Sequence, residues 1–390
     1  MAVTNCRHFN GYKPCGKAEV CNENCERLAI PATRILIIHL EALGAVLRST
    51  ALIAPIRRKF PQAHITWMTQ KPADQLLLQN SQIDRILTYE TQNVLALTSM
   101  VFDVCFCIDK SYAATGLASH INSNLFFGFK LEARSGSIVP ATLAANELWE
   151  LGLSNTKKFF ENQKPETELT CEALELGPFR RDHYVLNLSE TERTESQRRK
   201  KLWLGRAKHL VGINTGCSNV IAYKKLSVQA HRTLIQKLSA NRDFKIVLLG
   251  GREDTERNVK IAEGLDVIVS ESQAGLRDGL ISCDACDTIV SGDSLGMHIG
   301  IALKKWVVAW FGPTCSQEID LYDSGVKILS EAPCGPCWKR ICEKETMCYD
   351  LVDIEKVYQS ILAGQSVLRQ KGAKAVHEQK DFNHSDSFHW

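Results

Sequence analysis

The stretch from Cys286 to Thr314, CDTIVSGDSLGMHIGIALKKWVVAWFGPT, holds residue types suited to gripping a phosphorylated ligand. Asp293 and Ser294 are helix-starting residues placed between two β-rich apolar runs, 288–290 and 306–311, each of the length of a buried parallel strand. Residues 297–303 continue as a helix. A strand that ends in a polar turn and opens a helix leaves N–H groups without intrahelical partners, and the helix dipole favours an anion there. The second run leads into Phe311-Gly312-Pro313-Thr314, at the sheet edge where open α/β folds take their ligands. The stretch therefore reads as the diphosphate and sugar end of a nucleotide-sugar site. A plainer reading makes Asp293 an N-cap and His298 a packed core histidine.

Two further segments suit the same ligand. The strand at 210–214 runs into Thr215-Gly216-Cys217-Ser218-Asn219, a small polar loop that can bring amides and hydroxyls to phosphate oxygens. The strand at 244–249 ends in Gly250-Gly251-Arg252-Glu253-Asp254, and a carboxylate after such a strand commonly takes ribose hydroxyls. Glu253 and Asp254 are both candidates.

The pattern Asp-Ser-x-Gly-Met-His, an Ala-Leu helix and then Phe-Gly-Pro-Thr resembles the donor-site signature of the family 9 glycosyltransferases, the bacterial heptosyltransferases and their relatives. Lys224-Lys225-Leu226-Ser227 is similar to the family's Lys-Arg-Trp-Pro, whose first lysine contacts the donor diphosphate. The resemblance, which covers about residues 34–361, implies an α/β, GT-B architecture: two Rossmann-like domains facing a central cleft. It implies inverting transfer from a nucleotide-diphospho-sugar, ADP-heptose above all, to a glycan, lipid-linked or protein acceptor, with no cofactor in the transfer step. Thr215, Gly216, Ser218, Lys224, Glu253, Asp254, Asp293, Ser294, Gly296 and His298 are the expected donor-binding residues.

Two positions depart from the family. Leu295-Gly296 stands where Gly-Pro is usual. Ala45, in the turn 40–47, occupies the place of the aspartate expected to act as general base. Glu41 on the same turn is then the candidate base, since a base needs reach to the hydroxyl rather than a fixed register. The competing reading is a catalytically impaired relative that binds nucleotide or metal on a retained scaffold.

Fifteen cysteines are many for a chain with no secretory signal pattern. Cys6, Cys15, Cys21 and Cys25 lie in a segment too polar to build its own core, and Cys334, Cys337, Cys342 and Cys348 form a second group opened by a Cys-x-x-Cys knuckle. Both groups suit zinc, iron or an iron–sulfur cluster, in one site or two, and His8 could substitute for one thiolate of the first group. Cys283 and Cys286 read as core filling and Cys217 as a small loop residue.

The remaining organisation follows from composition and pattern. Apolar residues make up 44% of the 390-residue chain, and a net charge of +3 gives no reason to expect nucleic acid. No apolar run reaches membrane-spanning length, which predicts a cytoplasmic protein with at most peripheral membrane contact. Strand patterns at 35–38, 65–68, 83–87 and 101–106 alternate with helices, the first at 43–60. The expected divisions are a Cys-rich metal-binding segment over 1–30, an acceptor domain over 31–205, a nucleotide-sugar domain over 206–352, a closing helix over 353–370 and a loose tail over 371–390.

Overall fold

A computed structural model describes residues 3–9 and 11–385, and the chain divides into two compact units. The first holds the described residues up to Asn187 together with Gln317–Ile319; the second holds Leu188–Ser316 and the chain from Asp320 onward.

The first unit is built on β1 (Thr33–Ile38), β2 (Ala63–Thr69), β3 (Arg85–Thr88), β4 (Val101–Cys107), β5 (Asn122–Leu131) and β6 (Ile138–Pro140). They pair in the order β3-β2-β1-β4-β5-β6, parallel throughout except for the last pair. Successive residues of β1 feed opposite layers. Ile35 and Ile37 pack with Trp67, Phe106 and Ile53 on one face, while Leu36 and Ile38 pack with Met68, Cys105 and Leu117 on the other. A strand covered on both faces reads as a continuous apolar run, as β1 does over 35–38, whereas β2 is buried on both faces with His64, Thr66 and Thr69 among its apolar residues.

The segment 43–60 is not one helix. It forms a helix Leu43–Ser49, a 3-10 turn Thr50–Leu52 and a second helix Ile53–Lys59. Pro55 explains the break, because its missing N–H costs nothing only in the first turn of a new helix. The Ser49 and Thr50 hydroxyls also donate back to the Val46 and Leu47 carbonyls at 2.8 and 2.6 Å.

The second unit holds β7 (His209–Asn214), β8 (Phe244–Leu249), β9 (Ile268–Val269), β10 (Thr288–Gly292), β11 (Trp306–Phe311) and β12 (Gly325–Leu329). Their order is β12-β11-β10-β7-β8-β9, and every pair is parallel. The charged helix Glu190–Leu204 belongs to this unit, so the division falls after Asn187 rather than near 205. That helix lacks an apolar stripe and is held by polar contacts to the helix Leu276–Ala285. Ser196 donates to Asp284 at 2.7 Å, Arg199 pairs with Asp278 at 2.5 Å, and Arg277 pairs with Glu192. The last helix, Ile354–Ser385, buries Val357 and Ile361 against Trp306 and continues past residue 370, where the sequence pattern ends it. Residues 386–390 of the expected tail lie outside the described residues. Among the described residues no helix is long and apolar enough to cross a membrane. Cys283 and Cys286 are core residues, as expected, and burial pushes the Cys283 thiol up to about 12.

Four buried histidines set a pH limit on folding. Burial lowers His231 to about 4, and His39, His64 and His209 move in the same direction for the same reason. The Ser49 hydroxyl donates to Val46, so it accepts from His39 Nδ1 at 2.8 Å and holds that ring in one neutral tautomer. A histidine whose folded pKa is depressed stabilises the fold fully above its unfolded pKa, and this contribution is lost as pH falls toward the folded pKa. Stability is therefore expected to drop between pH 6.5 and 4, by up to about 3 kcal/mol from His231 alone. Denaturant titrations across that window check it, and a His231→Gln variant should show a shallower pH slope.

Candidate active site

In the second sheet the strand order reverses between β7 and β10, so the loops leaving those strands diverge and open a crevice at their carboxyl ends. Asn214, the last residue of β7, organises it. Its Nδ2 donates to the Gly216 carbonyl at 2.8 Å, to Ser294 Oγ at 3.0 Å and to Ser291 Oγ at 3.2 Å, tying the loop after β7 to the turn after β10. Ser294 is the N-cap of the helix Leu295–Ala302, in extended conformation, and its side chain caps no helix N–H. Met297 N and His298 N donate to Ser294 O at 3.1 and 3.4 Å, so the N–H groups of Leu295 and Gly296 are the ones that an anion at this helix start would use. Asp293 is not the N-cap. Its Oδ2 instead lies 3.6 Å from Lys224 Nζ, with both side chains mostly buried.

Gly296 has a steric reason. An added Cβ would stand 2.5 Å from Asn214 Cγ, so only glycine lets the helix start approach the end of β7. Leu295, at the first helical position, is half-buried. Gly296→Ala is expected to destabilise the protein by about 1–3 kcal/mol and to weaken nucleotide binding with it. Parallel denaturation and calorimetry measure both.

The other expected donor residues separate by environment. The Thr215 side chain is fully buried, and its one O–H lies within reach of Asn258 Oδ1 and of Leu249 O at 3.2 Å, so its hydroxyl serves the fold. Ser218 is exposed at the loop end. Asp254 is buried, accepts from Gly251 N at 3.0 Å, and packs so closely that a Cβ on Gly216 would meet its Oδ2 at 1.8 Å. Burial raises its pKa. Glu253, in the 3-10 turn Arg252–Asp254 that follows β8, stays exposed. His298 is 5% exposed, in the second turn of the Leu295–Ala302 helix.

The first sheet reverses between β1 and β4, and charged residues gather there too. Asp109, just past β4, accepts from Leu40 N at 3.0 Å and Glu41 N at 3.1 Å through one carboxylate oxygen. The backbone of Glu41 is thereby pinned while its side chain remains exposed. Arg48 pairs with Glu166 at 2.5 Å, and Lys110 Nζ sits 4.8 Å from the Phe129 ring centre. Burial alone would raise the Glu166 carboxyl, but Arg48, Lys110 and Lys158 outweigh it and hold the group well below the usual carboxylate range. Asn214, Asp109 and Arg257, which donates to Thr215 O at 3.1 Å and to Leu226 O, escaped the sequence reading. For the first two the available signal was position: a polar residue at the carboxyl end of a strand beside the reversal point.

The sequence profile of glycosyltransferase family 9 (heptosyltransferase) matches residues 139–348, more than half of the chain. The chain belongs to glycosyltransferase family 9. Solved structures show the same fold at low identity. A family 9 glycosyl transferase from Veillonella parvula is 17% identical, covers 85% of this chain and 97% of its own, and superposes with a TM-score of 0.67. The ADP-heptose lipopolysaccharide heptosyltransferase II of E. coli is also 17% identical, covering 87% and 99% with a TM-score of 0.63. TibC of E. coli, an iron-containing dodecameric heptosyltransferase solved with ADP-D-β-D-heptose, is 12% identical, covering 88% and 80% with a TM-score of 0.51. No match is found among curated protein sequences. The α/β fold with two parallel-sheet domains matches the GT-B glycosyltransferases.

In this glycosyltransferase the second cysteine group lies against the turn Phe311-Gly312-Pro313-Thr314 at the end of β11. Cys337 N and Trp338 N donate to Pro313 O at 3.1 and 2.8 Å, and Ser330 Oγ donates to Cys348 O at 2.6 Å. The Cys348 thiol is pushed up to about 11 by burial and then by the neighbouring Cys337, Cys342 and Cys334. Among the described residues, however, no three His, Cys, Asp or Glu side chains stand as a formed metal site, so metal binding at either cysteine group is not shown.

Proposed function

We propose that this family 9 enzyme transfers heptose from ADP-heptose, with inversion at the anomeric carbon, to a hydroxyl of a glycan, lipopolysaccharide or protein acceptor. The supporting observation is the ion pair of Lys224 with Asp293 beside the uncapped helix start at Leu295, where the strand order reverses. That arrangement offers one cation and several N–H donors to a diphosphate, with a carboxylate next to them for sugar hydroxyls. The donor sugar is suggested by the E. coli relatives, one named for ADP-heptose and one solved with it.

Each charge change in the reaction then has a partner. An acceptor hydroxyl gives its proton to Glu41 as its oxygen bonds to the anomeric carbon from the face opposite the diphosphate. The bond from that carbon to the diphosphate oxygen breaks, and the leaving negative charge falls to Lys224, the N–H groups of Leu295 and Gly296, and the amides of the loop after β7. Asp293 accepts hydrogen bonds from the sugar and Glu253 from the ribose. Asp254, Asn214 and Thr215 hold the loops in place. Cys334, Cys337, Cys342 and Cys348 form a donor set suited to iron or zinc, and a metal there would brace the turn at Pro313. Serine replacement of Cys334 and Cys337 should lower iron or zinc content, read by elemental analysis.

Ala45, where the family has aspartate, favours a second reading in which the chain binds nucleotide without transferring sugar. Calorimetry and transfer assays with ADP-heptose and UDP-glucose separate the two. Tight binding and turnover of ADP-heptose are expected; binding without turnover supports the second reading; binding of neither donor overturns both.

A further inference from the structure

We propose that Cys6, Cys15, Cys21 and Cys25 form a structural metal site for a thiophilic cation, zinc or iron, which staples the leading segment to the first sheet. All four are free thiols, and together with Phe9, Asn22 and Leu28 they line one small pocket. Between residues 11 and 32 there is no helix or strand, and the larger apolar side chains of that segment, Tyr12, Val20 and Ile30, are exposed. Fixing such a stretch costs conformational entropy that apolar burial here does not offset. The cysteines are nevertheless drawn inward, half-buried among exposed neighbours. Short turns hold two of them, with Cys6 O accepting from Phe9 N at 3.0 Å and Cys25 O from Leu28 N at 2.9 Å. Four thiolates around one metal supply the missing energy, because ligand binding to a site that exists only in the ordered segment is folding energy. The thiols do not yet stand as a formed coordination shell, so the metal must draw them in. His8 lines the same pocket, with its Nδ1 3.4 Å from Lys17 Nζ.

The segment's anchors show what the staple does. Arg7 donates to Asp84 at 2.9 Å and to Ala63 O at 3.0 Å, Arg34 to Asn5 O at 2.9 Å, and Arg85 to Phe9 O at 3.3 Å. These contacts fall at the starts of β1, β2 and β3, the edge opposite the one that carries Glu41 and Asp109. The site is thus structural and independent of the transfer chemistry.

The test uses the full chain purified under reducing, anaerobic conditions. Elemental analysis of a Cys15→Ser/Cys21→Ser variant should show about one equivalent of zinc or iron less than the parent. Cobalt(II)-reconstituted parent protein should show thiolate-to-cobalt charge-transfer absorption that shrinks in the variant. If the variant fails to fold, alkylation of the parent decides. Mass spectrometry should find the four thiols modified about tenfold faster after chelation. Unchanged metal content in a folded variant, or equal alkylation with and without chelator, overturns the proposal. Transfer activity enters neither readout, so failure of the donor assignment leaves this result interpretable.

Discussion

Lys224→Ala is expected to weaken donor binding by about 1.5–3 kcal/mol, the scale of a charge-assisted hydrogen bond, or roughly ten- to a hundredfold in Kd. The ion pair with Asp293 sharpens the expectation. Without the ammonium, Asp293 remains partly buried beside the helix start and repels the incoming diphosphate. Two effects then act in the same direction, loss of a cation and exposure of the ligand to an uncompensated carboxylate. Lys224→Ala combined with Asp293→Asn should therefore recover part of the affinity for nucleoside diphosphate, which carries no sugar for Asp293 to hold. Affinity for the full nucleotide-sugar should recover less. Calorimetry on both ligands reads this directly, and an unchanged Kd in folded Lys224→Ala removes that residue from the site.

The second unit was the more legible in sequence because its site is made by local runs. β10, the turn at Asp293, the helix start and β11 are consecutive, so composition places them together. Lys224 needed the family resemblance, since a lysine before a helix carries no signal of its own. What stayed hidden depends on pairing across the sheet. Asn214 and Asp109 matter because of which strands become neighbours, and no local window contains that. The pair Glu253 and Asp254 was undecidable for a similar reason: only the packing of Gly216 shows that Asp254 faces inward. The helix Glu190–Leu204 went to the wrong side of the boundary because its partners, Asp278 and Asp284, lie far along the chain. β5 was missed because its first half, through the exposed Leu125, is largely open and only 127–129 are buried, which breaks both the alternating and the continuous strand patterns.

Glu41→Gln is expected to slow transfer by ~10²–10⁴-fold while leaving donor affinity nearly unchanged, because a positioned base acts only in the chemical step. The structure adds a reason for the residue to serve. Asp109 pins the backbone N–H groups of Leu40 and Glu41, so the Glu41 side chain starts from a fixed point at the end of β1. Preorganisation of that kind is worth rate, and losing it should cost rate without moving the charge itself. Asp109→Asn keeps an acceptor oxygen for those N–H groups but removes the negative charge. It should lower the transfer rate less than Glu41→Gln and shift the pH profile little. If Asp109 were instead the base, the order would reverse, with Asp109→Asn the more damaging change. Ala45 lies in the first turn of the Leu43–Ser49 helix, a few residues beyond Glu41. Placing an aspartate there in the Glu41→Gln background should restore part of the rate if both positions reach the same hydroxyl. Normal turnover by Glu41→Gln, with the parent enzyme active, would show that the proton leaves by another group.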